Sequence, residues 1–408
     1  MGSRNILILG GRYANAKYAN SICCQNLAEY FASQGHHAFM VASGYEYSGE
    51  EELINGVHVT KIYGDRFGDI INQYSKRTGI IDRLLFRTHQ IIYYIKSILF
   101  FPLSSYRDSN RILHQAKKII DNYKIDIVVG MYRPYGATRA AVKLKKEYGN
   151  SIKVVTYHLD LYSDYKNKTS FVKSYKIKRM NAIFKKELSI VNRVLLPSSA
   201  RLIESPKVEY VDFPLYVTHS SVKKDSNDKI WFDSNIINIA ILGSLDKDNR
   251  NPKYICDIID NISTINGKTV LLHIWGKLIG LSLERYKNTI YHGIADAKDV
   301  PDILSHSDFL LNVGNKVTYN MIPSKIFQMF AAKKPIIFCV SSKEDKSLVF
   351  FEKYGHTCVI REYEHKKDDD IKEVETFMTM NFHKALMVDD DLFEKSTPQY
   401  IGNKILEG

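Results

Sequence analysis

Short runs of branched apolar residues alternate with stretches of helical spacing along the first half of the chain. Asn5 to Leu9 reads as a strand running into Gly10-Gly11, and residues 18–34 set Ala19, Ile22, Cys23, Leu27, Tyr30 and Phe31 at helical intervals before Gly35 stops the helix. Ala38 to Ala42, Val57 to Ile62, Ile125 to Val129, Val154 to Tyr157 and Arg193 to Leu196 read as further strands. Strands separated by helices imply right-handed crossovers and a parallel sheet covered on both faces.

Residues 218–235 turn polar and read as a linker. After them the pattern restarts. Ile236 to Leu242 is a strand ending in Gly243, and a helix follows near Pro252 to Ile262. Val270 to Ile274, Thr289 to Tyr291, Asp308 to Asn312 and Pro335 to Val340 are the next strands. The expected architecture is α/β, with two Rossmann-like doubly wound domains, 1–217 and 236–385. A closing helix in 386–408 is expected to pack back on the first domain.

Composition narrows the class. The chain has 408 residues, 45% hydrophobic and 25% charged, which excludes wholesale disorder and fibrous repetition. Five scattered cysteines form neither a C-x-x-C pair nor a disulfide framework, so a reducing, cytoplasmic setting is expected. The longest near-apolar stretch, Ile91 to Leu103, is broken by Lys96 and Pro102 and is too short to span a bilayer. No signal-peptide core is legible, and Ile6 stands where a myristoylation motif needs Ser or Thr.

Candidate chemistry gathers in the second half. Ligands of parallel sheets sit at the carboxyl ends of strands, where glycine admits close backbone approach. Those ends carry Gly243-Ser244, Trp275-Gly276, His292-Gly293 and Asn312-Val313-Gly314-Asn315. In Ile322 to Ile337, Pro323 and Ser324 suit a helix start whose apolar face is Ile326, Phe327, Phe330 and Ala331. Free amides there, with Lys325 beside them, would receive a phosphate, and Gln328 one turn on could bond sugar hydroxyls. Taken alone, the segment reads equally as a core helix with a solvated lysine.

In this order, Gly243, Lys247, Arg250-Asn251-Pro252, Ile274-Trp275-Gly276, His292-Gly293, Ser307-Asp308 and Pro-Ser-Lys-Ile-Phe-Gln with Pro335 resemble the donor half of GT-B glycosyltransferases. The likeness is to the family 4-like group of bacterial polysaccharide clusters. It implies an interdomain cleft and a nucleotide-sugar donor, UDP-linked by the commonest usage. It implies that Gly243, Ser244, Lys247 and Arg250 surround the diphosphate, with Trp275, Gly276, His292, Gly293, Ser324, Lys325 and Gln328 nearby. Asn320 and Gln328 stand where the family carries two glutamates. An amide can hydrogen-bond a sugar but cannot serve as a base, which leaves the sugar and the stereochemical outcome open.

By the same likeness Gly10-Gly11-Arg12-Tyr13 is the acceptor-side loop, and His158 and Asp160 occupy the catalytic positions. A histidine there could take the acceptor's proton, or contact the donor sugar in a retaining enzyme. Cations aimed at the departing diphosphate would make a divalent metal unnecessary, and no metal-holding motif is legible. The runs Asp368–Asp370 and Asp389–Asp391 read as solvated loops, and no further cofactor is expected.

The net charge of +12 has a location. Between Lys166 and Arg193 nine basic residues face one acid, Glu187. From Lys76 to Arg111, seven basic residues flank apolar runs. Basic groups beside apolar side chains suit an anionic membrane surface, and a lipid-linked glycan acceptor would need one. The expected location is therefore peripheral, on the inner face of the plasma membrane. No helix-turn-helix, zinc finger or aromatic RNA-binding segment supports a nucleic-acid partner. Two rivals keep the fold: an epimerase or phosphorylase, and a degenerate transferase acting as a binding partner or scaffold.

Overall fold

The computed structural model describes residues 2–13, 19–45, 48–64, 79–103, 106–132, 134–159, 171–198, 200, 202–212, 214, 232–262, 264–296, 299–319, 322–384 and 386–407. Contacts divide the chain into two units: Met1–Leu215 with Pro398–Gly408, and Tyr216–Thr397.

The strands of the first unit are β1 (Asn5–Gly10), β2 (His37–Tyr45), β3 (Glu51–Ile54), β4 (Val57–Tyr63), β5 (Ile127–Met131), β6 (Lys153–Tyr157), β7 (Arg193–Pro197) and β8 (Val208–Val211). They form one sheet in the order β3-β4-β2-β1-β5-β6-β7-β8, parallel except for the β3–β4 pair. Alternate residues feed two cores. Ile6, Ile8, Met40 and Val129 pack under the helix Ala19–Ser33 with Leu27 and Phe31. Leu7, Leu9, Val41 and Val128 pack under Tyr106–Tyr123 and Tyr135–Tyr148 with Ile112, Ile119 and Leu144. The chain reverses direction across the sheet between β1 and β5, which makes their carboxyl ends the switch point.

In the second unit β9 (Ile236–Leu242), β11 (Thr269–Trp275), β13 (Thr289–Gly293), β14 (Phe309–Val313), β15 (Ile336–Val340) and β16 (Thr357–Arg361) form an all-parallel sheet. The order is β13-β11-β9-β14-β15-β16, so here the switch point lies between β9 and β14. A two-stranded ribbon, β10 (Leu245–Asp246) with β12 (Leu278–Ile279), extends beyond the sheet. One face is packed by Lys253–Asn261 and Lys367–Asn381 through Ile255, Ile259, Val374 and Met378. Opposite, aromatic rings join two short helices to β15: Phe338 stacks on Phe351 at 4.0 Å, and Phe330 on Tyr354 at 4.9 Å.

Several expectations need adjustment. Residues 386–397 were expected with the closing helix, but they belong to the second unit; Pro398–Glu407 alone joins the first. There Ile401 and Ile405 are fully buried, and a Cβ on Gly402 would lie 2.3 Å from the Tyr30 ring. Lys153 and Arg193 donate to the carbonyls of Ile405 and Lys404, capping the helix end. Asp368–Asp370 is no loop but the first turn of Lys367–Asn381, where acids suit the helix dipole, and Asp370 accepts a 2.5 Å bond from Tyr254. Asp391 opens the short helix Asp391–Glu394, and Asp390 pairs with Lys333 at 3.0 Å. Most of the expected linker, together with Asp160 and Asn320, lies outside the described residues.

Candidate functional site

At the β9/β14 switch point the backbone itself makes room. Gly243 has φ +132° and Gly276 φ +155°, both closed to ordinary side chains. A Cβ on Gly276 would stand 1.9 Å from the Gly243 carbonyl oxygen. The strand ends are tied by Gly243 N–H to the Trp275 carbonyl at 2.8 Å and Gly276 N–H to the Gly293 carbonyl at 2.7 Å. Gly276 is therefore the position where a side chain is excluded by contact, whereas a Cβ on Gly293 would meet open space.

Two cations converge at Gly243. A Cβ there would lie 3.1 Å from an Arg250 guanidinium nitrogen and 3.8 Å from the Lys325 side chain. Arg250 is delivered by a turn in which the Asp246 carboxylate accepts from the amides of Asp248 (3.0 Å) and Asn249 (2.7 Å). Its guanidinium then donates to the carbonyls of Val313 (2.9 Å) and Ser244 (3.3 Å) and to Asn312 Oδ1 (3.1 Å), bridging β9 and β14. These acceptors are neutral; burial disfavours the Arg250 charge, and the carboxylates of Asp345 and Asp246 partly offset this without an ion-pair contact. Burial and the Arg250 charge together push the Lys325 ammonium down to about 8.

Asn312 adds a second sign of an unmet ligand. It is 3% exposed, and Arg250 fixes its amide orientation by engaging Oδ1. Its Nδ2 is left without an acceptor, although a buried donor of this kind ordinarily has one. The following loop is clamped from two sides. Asn249 Oδ1 accepts from the amides of Val317 and Thr318, and the Asp345 carboxylate accepts from the Asn315 amide at 2.9 Å and from Ser347. Cations, a buried donor and a rigid glycine frame suit an oxygen-rich anion.

Several other expected donor residues border the same strand ends through their backbone. Ser244 is exposed and contributes its carbonyl to Arg250. Lys247 is exposed along the ribbon, against Gly280. Trp275 is buried and stacks on His292 at 4.3 Å, while His292 bonds His273 at 2.9 Å. His273 in turn bonds buried Asn238. Burial, then the His292 neighbour, pushes His273 down to about 4, and burial lowers His292 as well, so neither adds positive charge at neutral pH. Pro323 and Ser324 do precede a helix, Lys325–Ala331, but it has seven residues and Ser324 makes no side-chain cap. The electrostatic weight therefore rests on Lys325 and Arg250 rather than on a helix dipole. Gln328, one turn on, is half-buried.

In the first unit Gly10 ends β1 against Cys24, and Arg12 donates to the Gly44 carbonyl at 2.7 Å beside the Tyr45 ring. Tyr13 is buried, its hydroxyl on Glu29 at 2.8 Å; Gly11 is half-buried. The strand-end histidine is not open to solvent. His158 has no exposed surface, stacks on Tyr132 at 5.0 Å and meets the Phe184 edge at 5.4 Å. Its Nε2 lies 2.6 Å from Glu187 Oε1, with Glu187 itself 2% exposed. His158 Nδ1 and Glu187 Oε2 are buried without partners. The sequence marked Glu187 as the lone acid of a basic stretch but not as the partner of His158. Its place one turn from Phe184 on the inner face of Phe171–Ile190 was the only available signal. Among the described residues, no group of three or more His, Cys, Asp or Glu could hold a metal ion.

No protein-family model matches the chain, and no curated protein matches it in sequence. Solved structures match it along its whole length. An α,α-trehalose 6-phosphate synthase from Burkholderia multivorans is similar with a TM-score of 0.57 at 9% identity, over 99% of this chain and 95% of that one. A glycosyltransferase from Rickettsia africae matches at 0.51 and 12% identity over 100% of both chains. A UDP-GlcNAc 2-epimerase from Neisseria meningitidis, bound to UDP-GlcNAc, matches at 0.51 and 12% over 99% and 100%. With two doubly wound parallel sheets already in hand, these likenesses identify the fold as GT-B, two Rossmann-like α/β units in one chain.

Proposed function

We propose that this protein is a glycosyltransferase that takes its sugar from a nucleotide diphosphate donor, UDP-linked in the simplest case. The observation that carries this reading is the meeting of Arg250 and Lys325 at Gly243, on the β9/β14 switch point, with Asn312 Nδ2 buried and unpartnered beside them. Glycosyl transfer leaves negative charge on the departing diphosphate, and preorganised cations stabilise that charge most where water is scarce. Arg250 and Lys325 would supply it, so a divalent ion is not required for this step. Gln328 and Ser324 would bond the sugar or ribose. His158, oriented by Glu187, would act at the sugar–acceptor end, with Asp160 as its neighbour in the chain.

The acceptor in this reading is a lipid-linked glycan of a bacterial surface polysaccharide, met at an anionic membrane face. No described helix is long and apolar enough to cross a membrane, so contact would be interfacial. The fold is also that of a UDP-GlcNAc 2-epimerase, and epimerisation would use the same diphosphate grip. A thermal-shift screen against UDP, GDP, dTDP and CMP conjugates identifies the donor, and chromatography with and without acceptor separates transfer from epimerisation. Calorimetry on Arg250→Ala and Lys325→Ala tests the site: nucleotide-sugar affinity unchanged in both removes it.

A further inference from the structure

One cavity opens beside the strand-end site of the first unit: Glu187, the partner of His158, and Tyr135, just past β5, are on its lining. It encloses about 290 Å³ in the first unit. Its walls come from the helices Tyr135–Tyr148 and Phe171–Ile190 and from the residues that follow the helix Ile80–Leu99. Phe100, Phe101, Leu103 and Ile183 give it an apolar wall. Arg139, Lys143, Lys146, Arg179 and Lys186 give it five positive charges. The single carboxylate on the lining is Glu187, which holds His158 through Oε1 and offers at most one negative charge against the five positive ones.

These cations are not balanced by acids. Among the described residues Lys143, Lys146 and Lys186 form no ion pair. Arg179 donates to the carbonyl of Leu99 at 3.0 Å and to the Tyr175 hydroxyl, and Arg139 donates to Ser109 and lies over the Tyr106 ring. Burial first, then the charges of Arg139 and Lys117, lower the Lys143 ammonium. A cluster of like charges around a half-apolar hollow costs energy when empty and is relieved by an anion.

The neighbouring helix indicates where that anion comes from. Ile80–Leu99 buries none of its described residues, although it is rich in Ile, Leu and Tyr. Ile81, Leu84, Ile91, Ile95 and Leu99 follow helical spacing and are 49–75% exposed, and Arg83, Arg87 and Lys96 flank them. A contiguous apolar stripe edged by cations matches the boundary of an anionic bilayer. The cavity begins where this helix ends, with Arg179 bonded to its last carbonyl.

We infer that the helix Ile80–Leu99 lies in the surface of an anionic membrane and that the adjoining cavity holds the phosphate headgroup of a lipid, a phosphomonoester or diphosphate rather than a singly charged diester. Five cations around one hollow suit a headgroup carrying two or more charges. A smooth surface potential would accept any anionic lipid. This rests on the membrane-facing part of the reading above and is independent of the donor site in the second unit.

The test is vesicle flotation of the full chain without nucleotide sugar. Phosphatidylcholine vesicles carry either phosphatidic acid or phosphatidylglycerol, matched in surface charge by zeta potential. Wild type should partition at least about tenfold more strongly to phosphatidic acid. The triple variant Lys143→Ala, Lys146→Ala, Lys186→Ala should lose roughly a hundredfold on phosphatidic acid and much less on phosphatidylglycerol. Ile91→Asp with Ile95→Asp should weaken both membranes alike, and circular dichroism confirms that each variant is folded. Equal wild-type binding to the two lipids, or wild-type selectivity in the triple variant, overturns the headgroup site but leaves membrane contact standing. Failure to bind either vesicle overturns both. Stabilisation by inorganic phosphate through the same three lysines, without lipid selectivity, assigns the cavity to a soluble anion and also overturns the lipid source.

Discussion

Lys325 is held in a place that disfavours its own charge, and this makes the site testable without knowing the sugar. Its ammonium is pushed from 10.5 to about 8, chiefly by burial and then by Arg250. The unfolded chain protonates the same group freely up to 10.5. The folded protein therefore carries a cost that is complete below pH 8 and fades as pH rises from 8 towards 10.5. The displacement corresponds to at most about 3 kcal/mol, reduced somewhat because the side chain is only half-buried. Lys325→Met keeps the length and removes the charge, so the ligand-free variant should gain about 2 kcal/mol at pH 7. That is a rise of several degrees in Tm. The same variant should bind a nucleoside diphosphate about 10 to 100 times more weakly, having lost a charge-assisted contact. In wild type, nucleotide affinity should fall about fourfold from pH 7 to 8.5, because binding requires the protonated lysine and calorimetry in two buffers should register proton uptake. Titration of the nucleotide itself is common to both proteins, so the difference between wild type and Lys325→Met isolates the lysine. A variant that melts at or below the wild-type temperature and keeps wild-type affinity would refute the reasoning.

Gly276→Ala should cost about 3 kcal/mol or more, since its Cβ would press into the Gly243 carbonyl at a φ that alanine resists; an unchanged denaturant midpoint contradicts the packing. Glu187→Ala should destabilise the protein by about 3 kcal/mol by leaving buried His158 without its partner, as followed by urea unfolding. His158→Ala should abolish transfer but preserve nucleotide affinity, and full turnover in that variant would remove His158 from the reaction. Transfer should survive EDTA, because Arg250 and Lys325 carry the charge; loss of activity restored by Mg²⁺ would assign that work to a metal.

The central strands were legible because buried parallel strands are continuous runs of branched residues: Ile236–Leu242 was located to the residue, and β6 to within one. Edges were not. Glu51–Ile54 is charged and exposed, and Val208–Val211 pairs with one neighbour, so neither carries a full apolar run. Of the site, the glycines and Lys325 stood out by position. Arg250 was marked by its motif alone, since its role depends on carbonyls 62 and 63 residues away that only the β9/β14 pairing brings near. The same holds for Glu187 and His158, joined across a helix. Trp275 and His292 were expected at strand ends beside the donor; their stacking was not legible, because it joins two strands, with His273 brought to the Trp275 face by period-two alternation.

The helix Pro398–Glu407 has a bearing on how the chain is born. It completes a unit whose other residues precede Tyr216, so the ribosome must finish everything up to Thr397 before that piece exists. Until then the apolar flank of Ala19–Ser33 that receives Ile401 and Ile405 waits uncovered. A polypeptide interrupted before Pro398 would leave that apolar flank open to chaperones, so the amino-terminal unit can be completed only after the whole of the second unit has been synthesised.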